Sequence, residues 1–176
     1  ADYAVVEVSS FQLQWSEYFC PDVAVLLNTT CDHVNYHGSF EAYRQVKERI
    51  FANQTSQHRA IINAAEPSSR LLAPQLAARV AYFSSTASVT KGMYLAAEGL
   101  IHIPDTGDRE IYPLDMVRIP GRHNLENVMA AILAARDCGV SREDITAAIA
   151  DFKGLPHRIE FAVRKKGVAF YDDSKG

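Results

Sequence analysis

The strand-like runs of this chain do not alternate between apolar and polar residues. Val23 to Leu27 and Arg59 to Asn63 place apolar side chains on consecutive positions. A strand with one wet face would read apolar and polar in turn, so these runs need cover on both faces. Helical patterns lie between them. Together they predict an α/β fold: a parallel sheet with flanking helices. The expected strands of the first half are Ala4 to Val8, Val23 to Leu27, Arg59 to Asn63 and Val80 to Phe83. The expected helices are a short one capped by Ser9-Ser10, one from Ser39 to Ala52, and one from Leu71 to Arg79.

From Lys91 to Leu114 the pattern changes. Short alternating segments, broken by Gly92, Gly99 and Gly107, predict a small antiparallel β subregion. Leu125, Val128, Met129, Ile132 and Leu133 then form one helical stripe ended by Gly139, with Asn124 as its expected cap. A further helix runs to Phe152, and strands Ile159 to Arg164 and Val168 to Tyr171 turn about Gly167. No repeat or linker-like stretch divides the 176 residues, so one domain is expected. The net charge of −3 argues against nucleic acid as a partner. Apolar runs of strand length argue against membrane insertion. Three widely spaced cysteines without a C-x-x-C read as reduced thiols in a cytoplasmic protein.

Lys47 breaks a pattern. Phe40, Tyr43, Ile50 and Phe51 mark the apolar stripe of the Ser39 helix, and Lys47 falls on that stripe, while Arg49 turns to the wet face. A buried ammonium is costly unless it is paired, neutralised or chemically changed. Asp32-His33 lies six residues before the helix, and Glu7 interrupts the apolar run Val5, Val6, Val8 near the expected carboxyl end of its strand. Ligands of open parallel sheets gather at such ends. Carboxylate and imidazole there suit magnesium with phosphate, and they equally suit a solvated strand end and a loop cap. Asn127, one turn into the Leu125 helix and off its apolar stripe, can read the edge of a base or sit on the surface. Arg158 follows a Gly-Leu-Pro turn, and Asp173 and Lys175 close the chain. Asp at a strand end can bind a ribose diol, and Arg or Lys a phosphate. No G-x-x-x-x-G-K-[ST] loop is present.

Glu7-Val8-Ser9-Ser10-Phe11-Gln12-Leu13, Asn28 through Asp32-His33, Tyr43-Arg44-x-x-Lys47, Gly121-x-His123-Asn124-x-x-Asn127, Gly154-Leu155-Pro156-His157-Arg158-x-Glu160 and Asp173-Ser174-Lys175 occur in that order. The set resembles the central domain of the Mur ligases along essentially the whole chain. The resemblance implies an ATP-dependent amide ligase of peptidoglycan synthesis working through an acyl phosphate. The Ser-Ser-Phe-Gln-Leu form points to the branch that joins D-glutamate to UDP-N-acetylmuramoyl-L-alanine. Another Mur or folylpolyglutamate-type ligase and a noncatalytic nucleotide-binding domain are the alternatives. By this resemblance Glu7 and His33 hold Mg2+, and Lys47 carries a carbamate from carbon dioxide that also ligates metal. Asn127 contacts adenine, Arg158 and Asp173 the ribose or its surroundings, and Lys175 the reacting phosphate or glutamate side. It also implies an incomplete central domain, without the upstream phosphate-binding loop and the amino- and carboxy-terminal domains, and inactive alone. Asn63-Ala64-Ala65-Glu66 stands where the family usually has Asn-x-Asp-Asp, and Asn35 stands where Asp is common.

Overall fold

The computed structural model describes residues 2–174. Six strands form one sheet in chain order: β1 (Val23–Leu26), β2 (Arg59–Asn63), β3 (Arg79–Ser84), β4 (Gly92–Ala96), β5 (Gly99–Ile103) and β6 (Glu110–Tyr112). The pairs β1–β2, β2–β3 and β3–β4 are parallel, and β4–β5 and β5–β6 are antiparallel. The expected antiparallel region thus continues the parallel sheet. A separate two-stranded sheet pairs β7 (Glu160–Lys165) with β8 (Val168–Asp172).

The uninterrupted apolar runs are explained by two dry faces. Every residue of β2 is buried. Its Ile61 packs with Phe83, Met93, Val128, Met129, Ile132 and Leu133 on one face of the sheet. Its Ala60 and Ile62 pack with Leu26, Phe51 and Leu72 on the other. Burying each large side chain in this way contributes about 1.5–3 kcal/mol. The first core is covered by α5 (Arg122–Asp137) and α6 (Arg142–Asp151). The remaining helices are α1 (Ser10–Leu13), α2 (Val34–His37), α3 (Phe40–Glu48) and α4 (Pro67–Leu72).

Parallel neighbours usually need a long crossover, yet β3 passes to β4 through residues 85–91 alone. The register explains it: Gly92 pairs with Tyr82, so the chain steps back only slightly along β3. Gly92 has φ +109°, and a Cβ there would lie 1.9 Å from the Tyr82 carbonyl oxygen. Only glycine fits that approach.

Several expectations are corrected. Ala4 to Val8 is not a strand; Val5 and Val6 are exposed, and β1 pairs with β2 alone among the described residues. Apolar sequence supplies strand propensity, but a strand exists only where a neighbour completes its hydrogen bonds. The Leu71 to Arg79 helix is instead α4 followed by a 3-10 turn, Ala73–Gln75, because Pro67 starts the helix and Pro74 interrupts it. The Leu125 helix begins at Arg122 behind Gly121, so Asn124 is inside it and donates from Nδ2 to the Pro120 carbonyl at 2.6 Å.

Candidate functional site

The Lys47 stripe is only partly dry. Tyr43 and Phe51 are buried, but Phe40 is 40% exposed, and α3 gives way to a 3-10 turn, Arg49–Phe51, that carries Ile50 and Phe51 out of the α-helical phase. Lys47 is half-buried rather than enclosed. Its Nζ donates to the Asn28 carbonyl at 3.0 Å, just past the carboxyl end of β1, and lies 5.5 Å from the Tyr43 ring centre. Burial lowers its pKa, partly opposed by the charges of Asp32 and Glu66. Arg49 is exposed as expected, yet it donates to the carbonyls of Leu13 and Ser16 and so ties α1 to α3.

His33 shares the Tyr43 ring with this lysine, in a ring cluster that joins α1, α2 and α3. Phe11 of α1 meets His33 edge-on at 5.1 Å, and His33 meets Tyr43 at 6.0 Å. His37 reaches back to Ser10 Oγ at 3.1 Å. α1 itself is set by a capping box between Ser9 and Gln12. His33 has a left-handed backbone, φ +52°, and its N–H donates to Asp32 Oδ1 at 2.7 Å. Its side chain is 45% exposed and borders an open depression of about 410 Å³ that Cys31 and Asp32 also line. Glu7 is exposed two residues before the Ser9 cap. Among the described residues, neither Glu7 nor His33 belongs to a preformed group of three His, Cys or acidic ligands. The one such group is His157, Glu160 and Asp172, all exposed.

Asn127 is exposed on the second turn of α5. The turns around it are fixed to the carboxyl ends of β2 and β3. Glu126 accepts from Asn63 Nδ2 at 3.2 Å and from Ser85 Oγ. Arg122 donates from Nε to Ser85 Oγ at 2.8 Å and from Nη2 to its carbonyl at 3.2 Å. Sequence reasoning missed Glu126, Ser85 and Arg122. Glu66 stands out in the sequence only as a departure from the family pattern, and Asn28 only as the start of the Asp32-His33 motif, with no sign that its carbonyl meets Lys47.

Arg158 and Asp173 flank the open end of the β7–β8 hairpin, where Glu160 pairs with Asp172. The hairpin closes through Ser174 N–H to the His157 carbonyl at 2.9 Å and through His157 Nδ1 to Asp172 Oδ2 at 2.7 Å. The hydrogen bond and charge of Asp172 raise the His157 pKa. Lys175 lies outside the described residues. The structure therefore sets His33 and Lys47 each against the Tyr43 ring, and it places Asn127 on α5 and Arg158 and Asp173 on the hairpin.

The chain is similar to known proteins in sequence and in fold. The Mur ligase middle domain family matches residues 1–135. A UDP-N-acetylmuramoylalanine--D-glutamate ligase from Syntrophus aciditrophicus (strain SB) is 60% identical over all 176 residues, and one from Koribacter versatilis (strain Ellin345) is 39% identical over 173. The chain covers 39% of the first protein and 38% of the second, so it spans about two-fifths of the curated relatives it matches. Among solved structures, a UDP-N-acetylmuramate-alanine ligase from Thermotoga maritima shares the fold, with TM-score 0.65 at 18% identity over 94% of this chain and 36% of that one. A MurF ligase from Thermotoga maritima in complex with ADP matches with TM-score 0.60 at 25% identity over 86% of this chain and 35% of that one. No helix of the described residues is long and apolar enough to cross a membrane. With its six-stranded mostly parallel sheet and a family match over most of its length, this chain belongs to the Mur ligase middle domain family.

Proposed function

We propose that this chain is the nucleotide-handling part of an ATP-dependent ligase that joins D-glutamate to UDP-N-acetylmuramoyl-L-alanine. The observation that carries this reading is 60% identity, end to end, with a ligase named for that reaction. In the reaction the carboxylate of UDP-N-acetylmuramoyl-L-alanine takes the terminal phosphoryl group of ATP, releasing ADP. The amine of D-glutamate then displaces phosphate, leaving an amide.

Glu7, His33 and a carbamate on Lys47 are the residues that would hold Mg2+. Their donors are carboxylate oxygens and one imidazole, a set suited to a hard cation. Bound there, Mg2+ supplies charge neutralisation for the phosphate oxygens. The placement of Lys47 supports its modification. Its lowered pKa raises the fraction of neutral amine, which forms an N–C bond to carbon dioxide and loses one proton to solvent. The product is an anion that no longer needs the Asn28 carbonyl and is repelled by Asp32 and Glu66 unless a cation joins it. Asn127 offers an amide to adenine, Arg158 and Asp173 contact the ribose or its surroundings, and Lys175 meets the reacting phosphate or the glutamate side. Positioning and charge neutralisation carry the rate, with no protein nucleophile.

The test uses the complete gene product that contains this chain. ADP release should require both UDP-N-acetylmuramoyl-L-alanine and D-glutamate, and Lys47→Ala should abolish it. Intact-mass analysis should show one added carbon dioxide that is lost in Lys47→Ala. Turnover supported by another amino acid but not by D-glutamate overturns the substrate assignment. Full activity of Lys47→Ala overturns the role of the lysine.

A further inference from the structure

We infer that Glu126 is a positioning residue for the nucleotide, acting through Asn127 by locking the start of α5 to the carboxyl ends of β2 and β3. The inference rests on the proposed nucleotide site at Asn127. Glu126 is half-buried, immediately precedes Asn127, and has both carboxylate oxygens engaged. One oxygen accepts from Asn63, the last residue of β2; the other accepts from Ser85, the residue after β3. Both partners are buried.

The orientation of each donor is fixed from behind. Asn63 Oδ1 accepts the Ala65 N–H at 2.9 Å, so its Nδ2 must face Glu126. Ser85 Oγ accepts from Arg122 Nε at 2.8 Å, so its own proton is directed to the carboxylate. Arg122 is the first residue of α5, and Glu126 lies one turn later, so the lock holds the helix at two points. It sets both the rotation of α5 and its height over the sheet. Gly121 ahead of it, at φ +100° and without a side-chain cap, offers no such restraint. A shift of α5 of the order of an ångström moves the Asn127 amide off a base edge, since useful hydrogen bonds span only about 2.7–3.2 Å.

The loss should therefore appear in nucleotide binding and little in chemistry. In the complete gene product, Glu126→Ala should raise KM for ATP about tenfold with kcat within about twofold, a change equivalent to about 1.4 kcal/mol. Glu126→Gln should recover most of the affinity. A neutral amide can turn its oxygen to Asn63 and its NH2 to Ser85 Oγ, which has a second lone pair. Asn127→Ala should also raise KM, and the double variant should be no worse than Asn127→Ala alone, because one residue works through the other.

If Asn127→Ala raises KM while Glu126→Ala leaves it unchanged, the positioning role fails and the nucleotide site stands. An unchanged KM in Asn127→Ala overturns the nucleotide site and the inference with it. Additive losses in the double variant also overturn the inference. Should Glu126→Ala fold poorly, Ser85→Ala removes one of the two tethers and should raise KM by a smaller factor; no change in that variant counts against the lock.

Discussion

The two ends of the parallel strands treat charge in opposite ways. At the amino ends, Arg59 opens β2 and is buried, with Nη2 at 2.8 Å from Asp105 and Nε at 2.9 Å from Asp137. Arg79 and Lys91 add weaker pairs to Asp105. Next to them Glu110 binds Arg136, His102 and Tyr112. The polar cavity there, about 200 Å³, is lined by groups that already neutralise one another inside the chain. At the carboxyl ends, Lys47 donates to a carbonyl oxygen and forms no ion pair within 4 Å among the described residues, and His33 is half-exposed in a left-handed turn. The first end is closed by ion pairs; at the second, Glu126 is satisfied by neutral donors and Lys47 by a carbonyl. Charge closed within the chain serves stability, and the proposed metal site lies at the end where it is not closed.

The sharpest way to break this contrast is Arg59→Ala. It leaves Asp137 without its cation and Asp105 with only the weaker pairs to Arg79 and Lys91, and a loss of about 3 kcal/mol is expected by urea unfolding. A loss below about 1 kcal/mol would show that the network is decorative. A smaller effect is expected at Glu110. Burial raises its carboxyl, but the hydrogen bonds from His102 and Tyr112 and the charge of Arg136 outweigh this and hold its pKa below the ordinary 4.5. Its stabilisation is thus complete above pH 4.5 and lost as pH falls through the folded-state value. Glu110→Gln should cost about 2 kcal/mol at pH 7 and flatten the acid limb of a stability–pH curve. An acid limb of unchanged slope would contradict that assignment.

The smallest expected change has the opposite sign. Lys47→Met should stabilise the chain at pH 7 by at most about 1 kcal/mol, discounted for screening because the lysine is only half-buried, and on the proposed role it should end turnover of the complete gene product. A lysine with a lowered pKa destabilises the fold when protonated, and the penalty is relieved as pH rises through its folded value toward 10.5. The gap between wild type and Lys47→Met should therefore narrow in alkali. Thermal unfolding across that range checks it, and a gap that widens would mean that Lys47 stabilises its own site.

Legibility followed the range of the interaction. β2 was placed at its observed bounds, Arg59–Asn63, because two dry faces leave an unbroken apolar run. The β7–β8 hairpin was placed within one residue because Gly167 sets its turn. Ala4 to Val8 looked just as strand-like and is unpaired among the described residues. The one-turn helix α2, Val34–His37, had no apolar stripe to announce it. Lys47 is recognisable as out of place, but it is only half-buried, because the helix phase that defines its stripe slips at the Arg49–Phe51 turn.

From sequence alone come the two-faced strand β2, the closing hairpin and the ordered motifs that carry the family resemblance. Each of these is written in neighbouring residues. Only the tertiary structure decided that Lys47 meets the Asn28 carbonyl 19 residues away, and that Glu126 holds Asn63 across 63 residues. Hydrophobic periodicity is a local property of the chain, whereas a polar contact exists only where two distant segments place donor and acceptor within about 3 Å.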